Sequence, residues 1–118
     1  MTPYDKIFLM NTLIGHQGSV PESQDFWNNI RNQVELVVEE TQETHDASIE
    51  EDLLELVDGV ADIMVVALGL YQRLQLCGVD IETALDRVCE NNLTKFHRDP
   101  EEANKTAKFY RDQDVGVY

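Results

Sequence analysis

The sequence has few cysteine, proline and tryptophan residues. It contains two cysteines, three prolines and one tryptophan in 118 residues. Cys77 and Cys89 have no companion Cys or His at zinc-binding spacing, so neither a zinc site nor a disulfide framework is expected. We expect both to be buried thiols in a reducing compartment. The length predicts one domain, residues 1–118, because two halves would each lack the apolar volume for a core.

Long hydrophobic runs are also missing. The longest, around Ile63 to Tyr71, is too short to span a bilayer. The N-terminus lacks the basic start, apolar run and small-residue cleavage site of a signal peptide. We therefore expect a soluble, cytoplasmic protein.

Positive charge is absent from the middle of the chain. Between Arg31 and Arg73 there is no Lys or Arg, and eleven acidic residues of this segment carry most of the formal net charge of −14. A polyanion repels nucleic acid and anionic membranes, so neither is expected as a partner. Such a segment suits metal binding, or imitation of a negatively charged ligand.

The spacing of apolar residues predicts an all-α protein with a four-helix core. The first helix is predicted over Lys6–Ile14, ending before a loop that contains glycines and a proline. Asp25 is predicted to cap a second helix that runs to about His45.

Ser48 and Glu51 fit a capping box, which predicts that a third helix begins before Leu53 and ends near Leu76. Asp80 is predicted to cap a fourth helix, and a short helical stretch is expected after Pro100.

Acidic residues interrupt the apolar faces of the second and third helices. On a helical wheel Glu40 falls inside the apolar arc of the second helix and Glu43 at its flank. On the third helix Glu55, Asp58 and Asp62 form a narrow stripe on a helix that is otherwise apolar all round. Such a helix is buried on more than one side, so we expect its acids to be buried too.

Stacked, semi-buried carboxylates repel each other, and burial raises their pKa values unless a cation is near. No Lys or Arg of the segment can supply that cation. Mg²⁺, a hard ion that prefers oxygen ligands, fits best. For the acids that point outward or cap a helix, a solvated surface role is the better interpretation: Glu35, Glu39, Glu50, Glu51 and Asp52.

Three motifs in this order resemble a known family: EETQE at 39–43, ELVDGVAD at 55–62 and NLTK at 92–95. They are similar to the ExxE, ExxD and NxxK motifs of the all-α nucleoside triphosphate pyrophosphohydrolases, the MazG-like and phosphoribosyl-ATP pyrophosphohydrolase-like superfamily. The resemblance covers about residues 5–96 and leaves a less regular tail, 97–118. It implies a four-helix core that forms homo-dimers or homo-tetramers, in a bacterial cytoplasm or in a host cytoplasm if a phage encodes the chain.

The resemblance also implies the reaction: Mg²⁺-dependent hydrolysis of a (deoxy)nucleoside triphosphate to the monophosphate and pyrophosphate, with Mn²⁺ as a substitute metal. By position, Glu40 and Glu43 match the metal ligands of ExxE, and Asp62 matches the Asp of ExxD. The Glu of that ExxD is replaced by Gly59, however, and Glu55 with Asp58 forms a second ExxD in register.

The choice between the two ExxD registers therefore stays open. Glu40, Glu43, Asp58 and Asp62 are the expected metal ligands. Glu40 is expected at the reacting centre, and Glu39 or Glu55 could orient the attacking water as a base.

Asn92 and Lys95 match the phosphate contacts of the family and are predicted just beyond the fourth helix. Lys95 would offset the charge of the triphosphate, although a lysine at a helix end also has a purely structural interpretation. Asn11 and Gln17 match a stretch that lies near the base in some relatives; an apolar helix end explains them as well.

A protein of a different class remains as the alternative: an acidic helical binding protein, either a DNA mimic or an inhibitor of a partner protein, without catalysis. Mimicry needs carboxylates displayed outward at phosphate-like spacing. The key acids are predicted along a buried stripe, which favours the enzyme.

Overall fold

The computed structural model describes residues 1–14, 23–95, 104–105, 107–109 and 111. Four α-helices follow one another in this part of the chain: α1 (Pro3–Leu13), α2 (Gln24–Ile49), α3 (Leu53–Leu76) and α4 (Ile81–Thr94). The described residues after 100 are also helical, and no strand occurs among those the structure describes. The predicted all-α class is confirmed.

The chain divides into two compact units, Met1–Val79 and Asp80–Tyr118. In the first unit α3 packs along α2 and also contacts α1. In the second unit, Asp80 caps α4 as predicted, since its side chain accepts hydrogen bonds from the Thr83 backbone N–H and hydroxyl. Each unit is described by itself.

The first two helices begin earlier than predicted. Thr2 caps α1 in a reciprocal capping box with Asp5, so the helix begins at Pro3 rather than Lys6. Ser23 caps α2 by accepting a hydrogen bond from the Phe26 N–H at 3.1 Å, and Asp25 lies in the first turn. An acid in the first turn interacts favourably with the helix dipole, which is why it resembled a cap.

The connection between α2 and α3 corrects the predicted capping box. Ser48 lies in the last turn of α2, where its hydroxyl donates to the His45 carbonyl. The helix ends in a Schellman motif: the N–H groups of Glu51 and Asp52 donate to Ser48 and Ala47, with Glu51 left-handed at φ 56°. Asp52 then caps α3 by accepting from the Glu55 N–H at 3.2 Å.

The C-terminus of α3 uses the same motif with the expected residue. Gly78 has φ 93°, and the N–H groups of Gly78 and Val79 donate to the carbonyls of Gln75 and Leu74. Glycine takes this conformation without steric cost, so the predicted end of α3 near Leu76 is confirmed.

Two glycines of α3 bring it close to α2. A Cβ at Gly59 would lie 3.1 Å from the Cβ of Thr44, and one at Gly69 would lie 3.2 Å from the Cδ of Gln33. Gly59 faces Thr44, and Gly69, which comes later on α3, faces Gln33, which comes earlier on α2. The two helices therefore run antiparallel. This register places Asp62 opposite Glu40.

The interior of the described chain is small and partly polar. Its buried hydrophobic residues are Ile7, Phe26 and Ala47, and its buried polar residues are Asn11, Gln33 and Gln72. The prediction of two buried thiols is wrong: Cys77 is half-buried and Cys89 is exposed. Cys89 lies on α4, which buries no residue completely.

One side of α3 is open. Leu53, Val57, Val60 and Met64 recur at intervals of three and four residues, and between 48% and 72% of each is exposed. We call these four residues the open face of α3. None of the described helices is long and apolar enough to cross a membrane.

Candidate functional site

Glu40 is the most unusual acidic residue of the first unit. It is half-buried on α2, and its Oε2 atom is buried without a hydrogen-bond partner in the described part of the chain. Buried carboxylate oxygens are normally paired, because losing water without compensation costs free energy. An unpaired one therefore points to a missing ligand.

Two further carboxylates lie close enough to act on Glu40. The pKa of Glu40 is raised above its ordinary value, first by burial and then by the negative charges of Glu43 and Asp62. A carboxyl–carboxyl contact with Glu43 and the charge of Glu39 raise that pKa further. Glu43 lies almost one turn along the same helix, whereas Asp62 reaches the cluster from α3.

The predicted acidic stripe of α3 is not buried, and only one of its three residues, Asp62, acts on Glu40. Glu55, Asp58 and Asp62 are all exposed, against the expectation that α3 would bury them. The expectation was wrong because the described unit covers only part of α3. Among the acids that the structure describes, those that act on the pKa of Glu40 are Glu39, Glu43 and Asp62.

We call Glu40, Glu43 and Asp62 the carboxylate cluster. Its three carboxylates offer hard oxygen ligands, among them the unpaired buried Oε2 of Glu40, and this donor set fits a divalent cation such as Mg²⁺. Within the described ranges, no three Asp, Glu, His or Cys side chains already converge tightly enough to ligate one ion. The three carboxylates repel one another as they stand, so a cation would draw them together.

A cavity of about 580 Å³ lies between α1, α2 and α3. Its walls include Leu36, one turn before Glu40, and Val66, one turn after Asp62. This volume is typical of small-molecule sites. On α2 and α3 the lining therefore begins about one turn from Glu40 and Asp62 and extends away from them.

Asn11, predicted near a base, lines this cavity and is only 6% exposed. Its Nδ2 donates to Oε1 of Gln72 at 3.0 Å. Asn11 therefore has a structural partner as well as a position at the cavity. Gln17, the other residue predicted there, lies outside the described residues.

Three polar residues that line the cavity were missed from the sequence: Asn32, Gln33 and Arg73. Gln33 and Arg73 line it together, and Arg73 Nε donates to Gln33 Oε1 at 3.4 Å. Gln33 stands one residue before the apolar run of α2, and Gly69 opposite it makes room for its amide. The available sequence signal was a glycine on α3 opposite a glutamine on α2. Recognising that pair requires the register of the two helices, which the sequence alone does not give.

Asn92 and Lys95 lie in the second unit. Asn92 belongs to the last turn of α4 rather than lying beyond it as predicted, whereas Lys95 follows Thr94 as the C-cap residue. Lys95 Nζ donates to Asn92 Oδ1 at 3.4 Å. The structure thus brings this predicted pair together at one helix end.

A model of the phosphoribosyl-ATP pyrophosphohydrolase family matches residues 9–92, more than half of the chain. The chain belongs to this family. Phosphoribosyl-ATP pyrophosphohydrolases are part of the MazG-like all-α pyrophosphohydrolase superfamily, so the resemblance predicted from the motifs is confirmed.

The match to the phosphoribosyl-ATP pyrophosphohydrolase family spans the carboxylate cluster and the cavity, and it ends at Asn92, before Lys95. The family identifies the chain as a nucleotide pyrophosphohydrolase of a kind that typically requires a divalent metal. Comparisons with curated proteins and with solved structures found no match.

Proposed function

We propose that the chain hydrolyses a nucleoside triphosphate to the monophosphate and pyrophosphate, and that Glu40, Glu43 and Asp62 hold the Mg²⁺ this requires. The observation that supports the proposal is the unpaired, buried Oε2 of Glu40 beside two further carboxylates. A triphosphate and three carboxylates repel each other unless a divalent cation lies between them.

Mg²⁺, when bound, would neutralise charge on the phosphates and stabilise the charge that develops in the displacement. The residues of the chain bind the metal ion and orient the substrate. The half-buried Glu40 contributes a carboxylate from α2, and Asp62 contributes one from α3. Burial and the neighbouring negative charges raise the pKa of Glu40, so they oppose the ionised form that a metal ligand needs, and a bound cation would offset them.

Glu39 is the better candidate for the base that orients the attacking water. It adjoins Glu40 in sequence and its charge acts on it. Glu55, the alternative, lies seven residues before Asp62, about 10 Å along α3. Asp58, the remaining predicted ligand, precedes Asp62 by one turn and would support the cluster from the exposed side.

The substrate could also be phosphoribosyl-ATP, the compound in the family's name. Both reactions release pyrophosphate, so the carboxylate cluster serves either. We favour a nucleoside triphosphate because the cavity of about 580 Å³ suits one nucleoside, and its lining residues Leu36 and Val66 lie one helical turn from Glu40 and Asp62. Asn92 and Lys95 are proposed as phosphate contacts, with Lys95 supplying a point charge.

The deciding experiment scores pyrophosphate against orthophosphate for a panel of nucleoside triphosphates and phosphoribosyl-ATP, with Mg²⁺, with Mn²⁺ and with EDTA. We expect pyrophosphate as the first product, only with metal. Glu40→Gln should reduce turnover more than about a hundredfold, since even residues that only support metal ligands cost ten- to a hundredfold. Glu35→Gln, an exposed acid on the same helix, is the matched control. Orthophosphate as the first product would refute the reaction.

The exposure of Glu55 and Asp58 favours keeping a second candidate, the acidic binding protein without catalysis. Carboxylates displayed on the surface are what imitation of DNA requires. Thermal unfolding separates the two: a metal enzyme gains stability with Mg²⁺ by mass action. A mimic would instead bind a basic protein and release no pyrophosphate.

A further inference from the structure

Arg73 is a cation in an otherwise anionic region. It is the first Lys or Arg after Arg31 in the sequence, it is half-buried, and it lines the cavity between α1, α2 and α3. Burial lowers the pKa of its guanidinium from a very high ordinary value, and arginine still carries its charge in proteins. A desolvated cation facing a cavity is well placed to recognise a ligand.

Gln33 fixes the direction of Arg73. Gln33 is only 6% exposed, its Nε2 donates to the Val66 carbonyl at 2.8 Å, and its Oε1 accepts from Arg73 Nε at 3.4 Å. Gly69 lets the amide lie directly against α3. The amide is thus held on one side by the α3 backbone and on the other holds the guanidinium.

The guanidinium has five N–H donors in a planar fork. Within the described residues its Nε–H is taken by Gln33, and the paired Nη groups remain at the end of the fork. Two parallel donors fit two neighbouring acceptors on a base edge. Guanine offers O6 and N7, and cytosine offers O2 and N3.

The other bases fit this fork less well. Adenine places an amino donor beside each acceptor of its N6 edges, which suits Asn or Gln rather than Arg. Uracil and thymine separate their two carbonyls by an N–H group. The fork therefore distinguishes cytosine and guanine from the remaining bases.

The position of Arg73 suits the base end of a nucleotide rather than the phosphates. Arg73 follows Asp62 by eleven residues, about 16 Å along α3. Gln33 precedes Glu40 by seven residues, about 10 Å along α2. With the phosphates at the carboxylate cluster, the nucleoside would extend along the cavity towards this pair.

We propose that Arg73, oriented by Gln33, determines base specificity by binding the paired acceptors of cytosine or guanine. This inference rests on the proposed triphosphate hydrolysis for its reaction, and on the cavity for its geometry. Gln33 acts through Arg73 as a positioning residue.

The test compares kcat/KM for dCTP, dGTP, dATP and dTTP in the unsubstituted chain, in Arg73→Lys and in Gln33→Met. The unsubstituted chain should prefer dCTP or dGTP over dATP and dTTP by roughly tenfold to a hundredfold, the value of one good bidentate contact. Arg73→Lys keeps the charge and loses the fork, so this ratio should fall to within about threefold. Gln33→Met should reduce the same ratio, whereas a purely structural role would lower all four values together.

Arg31→Lys, an exposed arginine on α2, is the matched control and should keep the ratio. An equal loss for all four nucleotides in Arg73→Lys, or no base preference in the unsubstituted chain, overturns the inference and leaves the hydrolysis intact. If no triphosphate yields pyrophosphate, the proposed function fails. Calorimetric binding of dCMP, dGMP, dAMP and dTMP then decides the inference: a preference for dCMP or dGMP that Arg73→Lys removes supports it, and its absence overturns it.

Discussion

At the scale of single residues, Glu40 links the chemistry of the site to the stability of the chain. Its buried oxygen lacks a partner, and Glu43 and Asp62 oppose its ionisation. A group that the fold keeps in an unfavourable state is typical of functional sites. Here the folded chain holds neighbouring negative charges whose repulsion a bound cation would relieve.

The raised pKa of Glu40 makes the stability of the metal-free protein depend on pH. The folded carboxyl keeps its proton to higher pH than the unfolded one, whose ordinary pKa is 4.5. The associated stability is therefore complete below pH 4.5 and is lost as the pH rises through the folded pKa. Glu40→Gln, which cannot ionise, should be more stable than the unsubstituted chain at pH 7 in EDTA, by less than about 1 kcal/mol because Glu40 is only half-buried.

Urea unfolding in EDTA at pH 4 and pH 7 measures this difference, which should shrink towards pH 4. Glu35→Gln should change little at either pH, since Glu35 is exposed on the same helix. A loss of stability in Glu40→Gln at pH 7 would show that the cluster does not strain the fold.

At the scale of elements, the turn between α2 and α3 contains a local conflict. Glu51 has the left-handed conformation that the Schellman motif needs, but it lacks the freedom of glycine. Gly78 holds the equivalent place at the end of α3 without that cost. The two helix ends therefore form a natural comparison.

Glu51→Gly should stabilise the chain by about 1 kcal/mol, because it removes the left-handed penalty of a residue with a Cβ. Gly78→Ala should destabilise it by a similar amount, since a Cβ there meets no atom within 4 Å and only backbone strain acts. Thermal and urea unfolding of both variants measure the two effects. A destabilised Glu51→Gly would mean that the Glu51 side chain contributes more than its conformation costs.

These elements also show how far the sequence predicts the fold and the site. Periodicity was sufficient for the all-α class and for placing Glu40 beside the apolar face of α2. The predicted capping box at Ser48 was wrong. Ser48 and Glu51 match the capping-box pattern in sequence, but the chain turns at Glu51, where no glycine marks the end of a helix. The pairing of Glu40 with Asp62, and the Gln33–Arg73 contact, depend on the helix register, which the contacts at Gly59 and Gly69 determine.

At the scale of the whole molecule, the described helices leave more large hydrophobic side chains exposed than they bury. Ile7, Phe26 and Ala47 are its buried hydrophobic residues in the described ranges, whereas the open face of α3 is exposed. Leu53, Val57, Val60 and Met64 have the spacing of a helix–helix seam. The sequence-based expectation that α3 is buried on more than one side is not met within the described unit, because its helices leave this face uncovered.

We propose that the open face of α3 packs against a second copy, giving a homo-dimer or homo-tetramer. Light scattering after gel filtration should give a mass that is a multiple of 13.5 kDa, and Tm should rise with protein concentration. Val60→Glu should shift the mass towards the monomer, because it places a charge in an apolar interface. Gln75→Glu, which adds the same charge at an exposed position of α3, should leave the mass unchanged. A monomeric unsubstituted chain would refute the proposal.

The two glycine contacts between α2 and α3 also restrict how the chain can change in length. Thr44 and Gln33 are eleven residues apart on α2, and Gly59 and Gly69 are ten apart on α3. One residue inserted between either pair would rotate everything beyond it by about 100° and turn a cluster residue away from its partner. An insertion or deletion between the members of either pair should therefore disrupt the site.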